Sequence, residues 1–317
     1  IAGERTMPIL VADALADWLL NDYPNSAIHK RMLHERILIL YKEREYKGEK
    51  ISNIQNKFPS SAQITNYIEK LERSGVINPE GEKSFFHRES RFYIITAKPP
   101  SSTEEALCSI FPYGYISYIT AMQWYSITDR LPKVVYYTTC SKEEWRKRYL
   151  AETLDRTGLH SYAKDLIPAF PISGKYFGKQ VHVSTTKNYR EPREGESGIR
   201  VQEIGELFTC MLKKPQWCGG STHVVDVYME YGKVFKNKII KYVDQYGGAI
   251  DKARVGFLLE TVMGVKSKTI EEWKKEKGNE RGSSRVLFPG EEFSKVYSPD
   301  WNLSINIEEL EEYGTID

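Results

Sequence analysis

The first strong pattern in the chain is a run of apolar residues at three- and four-residue intervals that begins just after His29. Leu33, Ile37 and Leu40 follow this spacing, and the polar residues His34, Glu35 and Arg36 lie between the first two of them. Such a pattern places the apolar side chains on one side of an α-helix and the charges on the other. We therefore predict an amphipathic, basic helix that runs to about Tyr46.

A second helix is predicted directly behind the first. Ile51, Ile54 and Phe58 share one face of a helix over residues 49–58. Pro59 then prevents the helix from continuing, because proline disfavours a helical conformation at the residue before it. The second helix is expected to end there in a tight turn.

A third helix is predicted from Ser60, which precedes Gln63 by three residues in the spacing of a capping box. Gly75 supplies the left-handed residue that commonly ends a helix. The apolar side of this helix consists of Ile64, Ile68 and Leu71.

Two short extended runs come after the third helix, at residues 85–86 and 91–96. A charged tip at residues 87–90 separates them, and a polar turn at residues 78–83 precedes them. This is the pattern of a β-hairpin. Three helices followed by a hairpin predict a winged helix-turn-helix domain over residues 29–98.

The regions on either side of this domain differ from it in pattern. Residues 1–28 are predicted to form an N-terminal extension with one amphipathic helix. Residues 98–103 are rich in proline and serine, which favours a linker and a domain boundary.

Residues 104–317 are predicted to form a larger, mixed α/β domain with a helical second half. A serine-capped helix is expected at residues 141–154, and helical patterns dominate residues 202–277. Strand-like alternation is found at residues 133–139, 180–185, 285–288 and 296–305. The predicted fold class of the whole chain is therefore α+β.

The composition is consistent with two domains inside a cell. A chain of 317 residues with 40% hydrophobic content can fill more than one core. The four cysteines show no CxxC pair or regular framework, which argues against a zinc site or a disulfide scaffold and favours a reducing cytoplasm. Since no apolar run approaches the roughly 18 residues of a membrane span, no membrane association is expected.

Positive charge is concentrated in the predicted winged helix. Residues 29–98 hold 14 Lys and Arg against 9 Asp and Glu, a balance of +5, although the whole chain carries only +2. Residues 1–28 carry −3, so the remainder is neutral. This distribution favours a local contact with nucleic acid.

The third helix carries the candidate site. Its apolar side must face the core, so its polar residues point outward. Such side chains suit the major groove of DNA, because Gln and Asn pair with adenine while Lys and Arg bind guanine or phosphate. These residues are Gln63, Asn66, Lys70 and Arg73.

Two further groups complete the predicted DNA contacts. Ser60 and Ser61 lie at the helix N-terminus, where free backbone amides suit a phosphate. Lys83, Arg88 and Arg91 lie in the predicted wing, where they could follow the DNA backbone or enter a minor groove. The alternative is that all these residues simply solvate a helix and a hairpin.

Signatures of catalysis are missing from the sequence. It has no G-x-S-x-G, H-E-x-x-H, GxxxxGK[ST] or Gly-rich dinucleotide motif. His182 and His223 could approach Cys210 or Cys218 in space, but a structural role is the expected one. We therefore expect neither an enzyme nor a cofactor or metal site.

Two later segments resemble one family. Residues 112–128 contain Gly-Tyr-Ile-Ser before an apolar helix that ends in Trp-Tyr-Ser-Ile-Thr, and residues 201–220 end in Pro-Gln-Trp-Cys-Gly-Gly. In their order behind a predicted winged helix, these segments resemble AbiEi-type antitoxins over about residues 30–245. The run at residues 202–206 departs from the family pattern, which usually has an arginine-containing stretch there.

This resemblance implies an antitoxin of a type IV toxin-antitoxin system, a class that takes part in phage defence. Its winged helix would bind inverted repeats in double-stranded operator DNA and repress its own operon. Its C-terminal domain would counteract a nucleotidyltransferase-like toxin. The family supplies no catalytic residues.

Two alternatives remain at the level of sequence. The winged helix could bind a protein partner instead of DNA, which would make the chain an adaptor. Less favoured is an enzyme whose site in the C-terminal domain matches no known motif.

Overall fold

The molecule is described by a computed structural model over residues 8–80, 91–158, 162–277 and 285–316. Its internal contacts divide the chain into two compact units. Unit 1 contains residues 1–115 and 137–200, and unit 2 contains residues 116–136 and 201–317. Both units mix helices and strands, so the chain is an α+β protein, as predicted.

The described ranges contain α-helices of 4 to 26 residues. They are α1 Val11–Asp17, α2 Lys30–Glu43, α3 Ser61–Arg73, α4 Thr103–Ile110, α5 Tyr118–Trp124, α6 Lys142–Thr157, α7 Ala163–Leu166, α8 Ile204–Lys213, α9 Ser221–Tyr246, α10 Ala249–Gly256 and α11 Lys268–Lys277. Wider π-type turns continue α1 through Trp18–Asp22 and α10 through Phe257–Val262. Short 3-10 turns lie at Glu196–Gly198, Pro215–Trp217 and Glu308–Tyr313.

The strands are short. They are β1 Ala27–His29, β2 Glu45–Tyr46, β3 Glu49–Lys50, β4 Ile77–Glu80, β5 Phe92–Ile95, β6 Tyr115–Ile116, β7 Val134–Thr139, β8 Gly174–Tyr176, β9 Lys179–Thr185, β10 Arg193–Glu194, β11 Arg200–Val201, β12 Val296–Ser298, β13 Leu303–Ser304 and β14 Thr315–Ile316.

The first part of unit 1 is built on an antiparallel sheet in the order β1-β5-β4. Ile28 of β1 lies opposite Tyr93 of β5, and Ile77 of β4 lies opposite Ile95 of β5. One hydrophobic core joins this sheet to α1, α2 and α3. Its fully buried members include Leu15, Leu19, Ile28, Leu33, Ile37, Leu40, Leu71, Ile77 and Ile95. The amphipathic helix predicted within residues 1–28 is therefore present, and its apolar face packs into the same core as residues 29–98.

The helix predicted over residues 49–58 is absent. Instead, β2 and β3 form a small hairpin that turns at Gly48, whose φ is +83°. Ile51 then forms a bridge with Ile9 and is only 3% exposed. Asn53 has a φ of +64°, which interrupts any helical path. Ile51 is thus buried in a bridge with a partner 42 residues earlier in the chain, and Ile54 and Phe58 are half-buried outside any helix.

The predicted hairpin also differs from the observed one. The partner of β5 is β4, with Asn78 opposite Ile94 and Glu80 opposite Phe92. Residues 78–80, predicted as a turn, are therefore in a strand. The predicted strand at residues 85–86 and the charged tip lie outside the described residues. Helix α2 ends three residues earlier than predicted, at the left-handed Arg44, whose φ is +57°.

The second part of unit 1 contains two predicted strands and one predicted helix, all confirmed. The hydroxyl groups of Thr138 in β7 and Ser184 in β9 are 2.8 Å apart. Strands β8 and β9 form an antiparallel hairpin. The Ser141 side chain accepts a hydrogen bond from the Glu144 amide and caps α6. Large aromatic side chains fill the core here, among them Phe111, Tyr137 and Trp145.

Unit 2 is mainly helical, as predicted for the second half of the chain. Helix α8 packs along α9 at Gly205, where an added Cβ would lie 2.4 Å from the Lys238 carbonyl oxygen. The Tyr228 hydroxyl donates a 2.9 Å hydrogen bond to the Phe208 carbonyl in the same contact. A three-stranded sheet in the order β13-β12-β14 completes the unit.

Two glycines separate consecutive helical segments of unit 2. Gly219 and Gly220 have φ of +94° and +99° between the 3-10 turn and α9, so their role is a tight reversal of the chain. The predicted closing strands are confirmed in part. Val296–Ser298 and Leu303–Ser304 are strands, while Val286 forms only a single bridge with Ser304.

Candidate nucleic-acid interface

Helix α3 begins with the predicted capping box. The Ser60 hydroxyl accepts a 3.2 Å hydrogen bond from the Gln63 amide, and the Gln63 side-chain oxygen accepts a 2.8 Å bond from the Ser60 amide. This pair satisfies two of the free amides at the helix start. It also engages the oxygen that Gln63 would need to bind an adenine with both side-chain atoms.

The C-terminal end of α3 is closed by a Schellman turn. Gly75 has a φ of +72°. The Val76 amide donates to the Leu71 carbonyl at 3.0 Å, and the Gly75 amide donates to the Glu72 carbonyl at 3.0 Å. Both ends of α3 are therefore fixed by local hydrogen bonds, which gives the helix a defined length.

The two sides of α3 differ in the predicted way. Ile68 and Leu71 are buried, at 3% and 1% exposure. The Tyr67 hydroxyl is 2.8 Å from the Tyr41 hydroxyl of α2, which fixes the rotation of the helix against its neighbour. The opposite side is open to solvent, and its exposed residues include Ser61, Asn66, Lys70 and Arg73.

The exposed cations of α3 have weak partners or none. The Arg73 guanidinium forms a 2.6 Å ion pair with Glu69 one turn earlier, and both side chains are largely exposed. Such a surface pair contributes roughly 0.5 kcal/mol, so a phosphate can replace it. Over the described ranges, Lys70 and Asn66 have no ion-pair or hydrogen-bond partner from another side chain.

A second group of cations lies at the start of α2. We call Lys30, Arg31 and Arg91 the α2 amino-terminal group. The Lys30 amide donates a 2.8 Å hydrogen bond to the Arg91 carbonyl, which brings the end of the predicted wing to the first turn of α2. Arg31 and Arg91 are exposed.

This group lies close to α3. The charges of Lys30 and Glu72 are near enough to interact, while burial and the neighbouring Arg31 lower the pKa of Lys30. Glu72 directly precedes the exposed Arg73. Cations from α2, α3 and the residue before β5 thus contribute to one region of unit 1.

His29 supports this region without adding charge. Its ring Nδ1 accepts a 3.0 Å hydrogen bond from the Arg31 amide and caps α2. Burial, followed by repulsion from Arg31, Arg91 and His34, lowers the pKa of His29 to about 3. The imidazole is therefore neutral near pH 7.

The predicted site residues fall into four groups. Ser60, Ser61, Asn66, Lys70 and Arg73 share the exposed side or the start of α3. Gln63 is half-buried and belongs to the cap. Arg91 precedes β5 in sequence and lies beside the first turn of α2. Lys83 and Arg88 lie outside the described residues.

Lys30 and Arg31 were missed by the sequence analysis. A usable signal was present, since two cations in the first turn of a helix oppose the helix dipole and lower its stability. Residues that destabilise their own helix are candidates for contact with an anion. The proximity to Arg91 could be found only from the fold.

The residues considered for catalysis have ordinary surroundings. The His223 Nε2 lies 2.9 Å from the Thr128 hydroxyl. Burial raises the pKa of the Cys210 thiol to about 12, and it also raises the pKa of Cys218. All four cysteines are free. In the parts of the chain that the structure describes, His, Cys, Asp and Glu side chains form no cluster of three or more that could hold a metal ion.

No described helix combines the length and the apolar character needed to span a membrane.

Comparison with known proteins yields a structural likeness and no family match. No protein-family model matches the chain, and no curated protein matches it. Among solved structures, it is similar to the crystal structure of the RV2827C protein from Mycobacterium tuberculosis, with a TM-score of 0.48 and 12% sequence identity. The match covers 93% of this chain and 90% of that one. At this level of similarity no family membership follows.

Proposed function

We propose that the first part of unit 1 is a winged helix-turn-helix that binds double-stranded DNA. The support is the order of its elements: α1, β1, α2, α3, β4 and β5, with a sheet in the order β1-β5-β4. Helix α1 takes the place of the first helix. Helices α2 and α3 are then the helix-turn-helix pair, with α3 in the major groove, and β4 and β5 lie on either side of the predicted wing, whose tip is outside the described residues.

One observation carries this proposal. Helix α3 is locked to the core by Ile68 and Leu71 and offers Asn66, Lys70 and Arg73 to solvent on its other side. An isolated amphipathic helix would show the same pattern, but this one is held against α2 and a small sheet. A rigid helix with amide and cationic side chains outward fits the major groove.

The connection between α2 and α3 is longer than in a minimal helix-turn-helix. Residues 44–60 separate the two helices and include the β2–β3 hairpin. Because Ile51 is tied to Ile9 beside the start of α1, this insertion is held against the core. The insertion therefore leaves intact the packing of α2 and α3 that the proposed DNA binding requires.

The α2 amino-terminal group would contact phosphates on the flanks of the groove. Arg31 and Arg91 are exposed, and the Lys30–Arg91 hydrogen bond links α2 to the wing. Contacts of this kind fix the position of the protein on the duplex and give it a salt-dependent affinity, but carry no sequence information.

The wider function that we propose is that of an antitoxin. The protein would repress its own operon by binding inverted repeats, while residues 104–317 counteract a nucleotidyltransferase-like toxin. The support is the resemblance of residues 112–128 and 201–220 to AbiEi-type antitoxins. A nucleotidyltransferase-like reading frame next to the gene is expected, and growth rescue on co-expression would test the pairing.

The DNA proposal is tested by fluorescence anisotropy on fragments of the upstream promoter. The variant Lys70→Glu plus Arg73→Glu should lose specific binding, whereas the unmodified protein should bind with a strong dependence on salt. The matched control is Arg146→Glu plus Lys147→Glu, which makes the same charge change at exposed positions of α6 in unit 1. The control should bind like the unmodified protein.

Two results would contradict the proposal. Equal affinity of the α3 variant and the unmodified protein would remove α3 as the recognition helix. Absence of salt-dependent binding to any promoter fragment would favour the protein adaptor instead.

A further inference from the structure

The connection that leads into α3 carries no acidic residue. Residues 50–68 contain no Asp or Glu, although the whole chain of 317 residues holds 43 of them. Acids are favourable in the first turn of a helix because of the helix dipole. In the same unit, the first turns of α4 and α6 each have two, namely Glu104, Glu105, Glu143 and Glu144. The first turn of α3 has none, so no acid of its own repels an external anion there.

Lys57 supplies a cation in this connection. Its side chain is exposed, and its Nζ lies 5.5 Å from the centroid of the Phe58 ring. Within the residues that the structure describes, no carboxylate pairs with it. Lys57 precedes Ser60, the N-cap of α3, by three residues, so its backbone lies within about 11 Å of the helix start. The cation is thus held beside the helix that carries the candidate site.

The Phe58 ring is anchored by the second part of unit 1. Its centroid lies 4.9 Å from the centroid of the Tyr162 ring. Tyr162 directly precedes α7, which packs against α2. An ammonium group that rests on an anchored ring loses less freedom on binding an anion than a lysine on a mobile loop. Since a cation–π contact at an exposed site is weak, an anion can still draw the ammonium group away from the ring.

Cations are also found at the other end of α3. Arg73 lies in its last turn, and Lys30 of the α2 amino-terminal group is near enough to Glu72 for their charges to interact. With 13 residues, α3 is about 20 Å long. The exposed side of α3 therefore lies between cations at both ends of the helix.

This arrangement fits the two backbones of a duplex. The major groove of B-DNA is about 12 Å wide, and a phosphate backbone forms each of its edges. A helix of about 20 Å that lies across the groove brings its two ends to opposite backbones. A helix that lies along the groove brings its ends to neither backbone.

We propose that Lys57 binds a phosphate of one DNA strand while the α2 amino-terminal group binds the other strand, so that α3 lies across the major groove. This rests on the proposed DNA binding and adds to it a contact residue and an orientation. The capping box already engages the amides of Ser60 and Gln63, so the lysine supplies the charge for the phosphate. Phe58 and Tyr162 are positioning residues, because they act on the phosphate only through Lys57.

The first test is fluorescence anisotropy with the full chain on a promoter fragment that it binds, at several salt concentrations. Lys57→Ala should lower the slope of log affinity against log salt by about 1. At a salt concentration of about 0.1 M, its affinity should fall roughly eightfold. Lys57→Arg keeps the charge and should keep both values. Lys147→Ala, at an exposed position of α6, is the control and should bind like the unmodified protein.

The second test identifies the strand that each cation contacts. Single phosphates at the edges of the contacted groove are replaced by uncharged methylphosphonates. For the unmodified protein, one such replacement on each strand should weaken binding. In Lys57→Ala the replacement on one strand should lose its effect, and in Arg31→Ala the replacement on the other strand should lose its effect. Loss of the effect on the same strand in both variants would overturn the crosswise orientation.

Tyr162 tests the positioning of Lys57. Tyr162→Ala should weaken DNA binding by about threefold and leave the salt slope unchanged, because the lysine is still present but less well placed. Tyr162→Phe keeps the ring and should restore the affinity. An equal loss of affinity in both variants would show that the ring contact does not position Lys57.

The remaining outcomes separate Lys57 from the wider DNA proposal. Salt-dependent binding that is lost in Lys70→Glu plus Arg73→Glu but unchanged in Lys57→Ala would remove Lys57 from the interface and leave α3 as the recognition helix. A lack of binding by the unmodified protein to every promoter fragment would overturn both the role of Lys57 and the DNA proposal.

Discussion

Arg156 of α6 forms an ion pair with Glu35 of α2 across 121 residues of sequence. The Arg156 Nε donates to a Glu35 carboxylate oxygen at 2.8 Å, and the Tyr149 hydroxyl donates to the other oxygen at 2.7 Å. Glu35 is only 8% exposed in this pair. The carboxylate therefore depends on α6 for its neutralising cation and for its hydrogen bonds.

Arg156→Ala should destabilise unit 1. It leaves the buried Glu35 carboxylate without a cation, and a hydrogen bond to a charged group contributes about 2 kcal/mol. The measurement is urea unfolding followed by circular dichroism. Arg146→Ala changes an exposed arginine of the same helix and should cost less than about 0.5 kcal/mol. Equal midpoints for the two variants would show that the Glu35 pair contributes little.

Ser60→Ala should destabilise α3 by about 1 kcal/mol, because the capping box loses the hydroxyl that accepts from Gln63. Ser61→Ala is the control, since Ser61 is the next residue and alanine is favourable inside a helix. Unfolding midpoints of the two variants give the comparison. A Ser61 variant as unstable as the Ser60 variant would contradict the role of the cap.

Acid should weaken the fold through His29. Its folded-state pKa of about 3 lies below the value of about 6.5 that is usual for an unfolded chain. As pH falls below about 6.5, the unfolded chain binds the proton first, so stability is lost progressively down to about pH 3.

At pH 5.5 this loss amounts to about 1 kcal/mol relative to pH 7.5. His29→Asn keeps a capping side chain and removes the titration, so its stability should change less between these pH values. Burial also lowers the pKa of His34, to about 4, and this residue accounts for a remaining slope. An unchanged pH dependence in the His29 variant would exclude His29 as a source.

Gly256→Ala should destabilise unit 2. A Cβ at this position would lie 2.1 Å from the fully buried ring of Trp301. Overpacking of this kind costs roughly 1–3 kcal/mol. Gly174→Ala introduces the same methyl group into open space and should leave stability unchanged or slightly raised. Similar thermal midpoints for both variants would mean that Trp301 moves aside at little cost.

The α2 amino-terminal group gives a quantitative prediction for DNA binding. Arg31→Ala should weaken binding to specific and nonspecific DNA by a similar factor, and it should reduce the slope of log affinity against log salt by about 1. Anisotropy titrations at several salt concentrations measure this slope. Arg146→Ala should leave it unchanged. A full slope in the Arg31 variant would place this arginine outside the interface.

Helix α3 could be predicted because every signal that defines it is local. The capping box at Ser60, the stripe through Ile68 and Leu71, and the stop at Gly75 all lie within sixteen residues of sequence. The exposed side of the helix then followed from the helical spacing of its apolar residues. The same capping box engages the Gln63 side chain, so the pattern that predicts the start of the helix also counts against Gln63 as a free DNA contact.

The segment after α2 could not be predicted, because a distant partner decides its structure. Ile51 and Ile54 have helical spacing, yet Ile51 pairs with Ile9. Strand β4 was missed for a different reason. Its Asn78 and Pro79 are typical turn residues, but β4 lies at the edge of its sheet, where a proline needs no amide for the ladder.

The make-up of unit 1 decides which fragment can be expressed to test the proposed DNA binding. A stop codon after residue 98 would retain α1–α3 and β1–β5 but discard α6. The truncated polypeptide would keep an unneutralised acid at position 35 and expose the apolar surface that the later segment covers. A soluble fragment should instead extend to residue 200, with a short flexible bridge in place of residues 116–136.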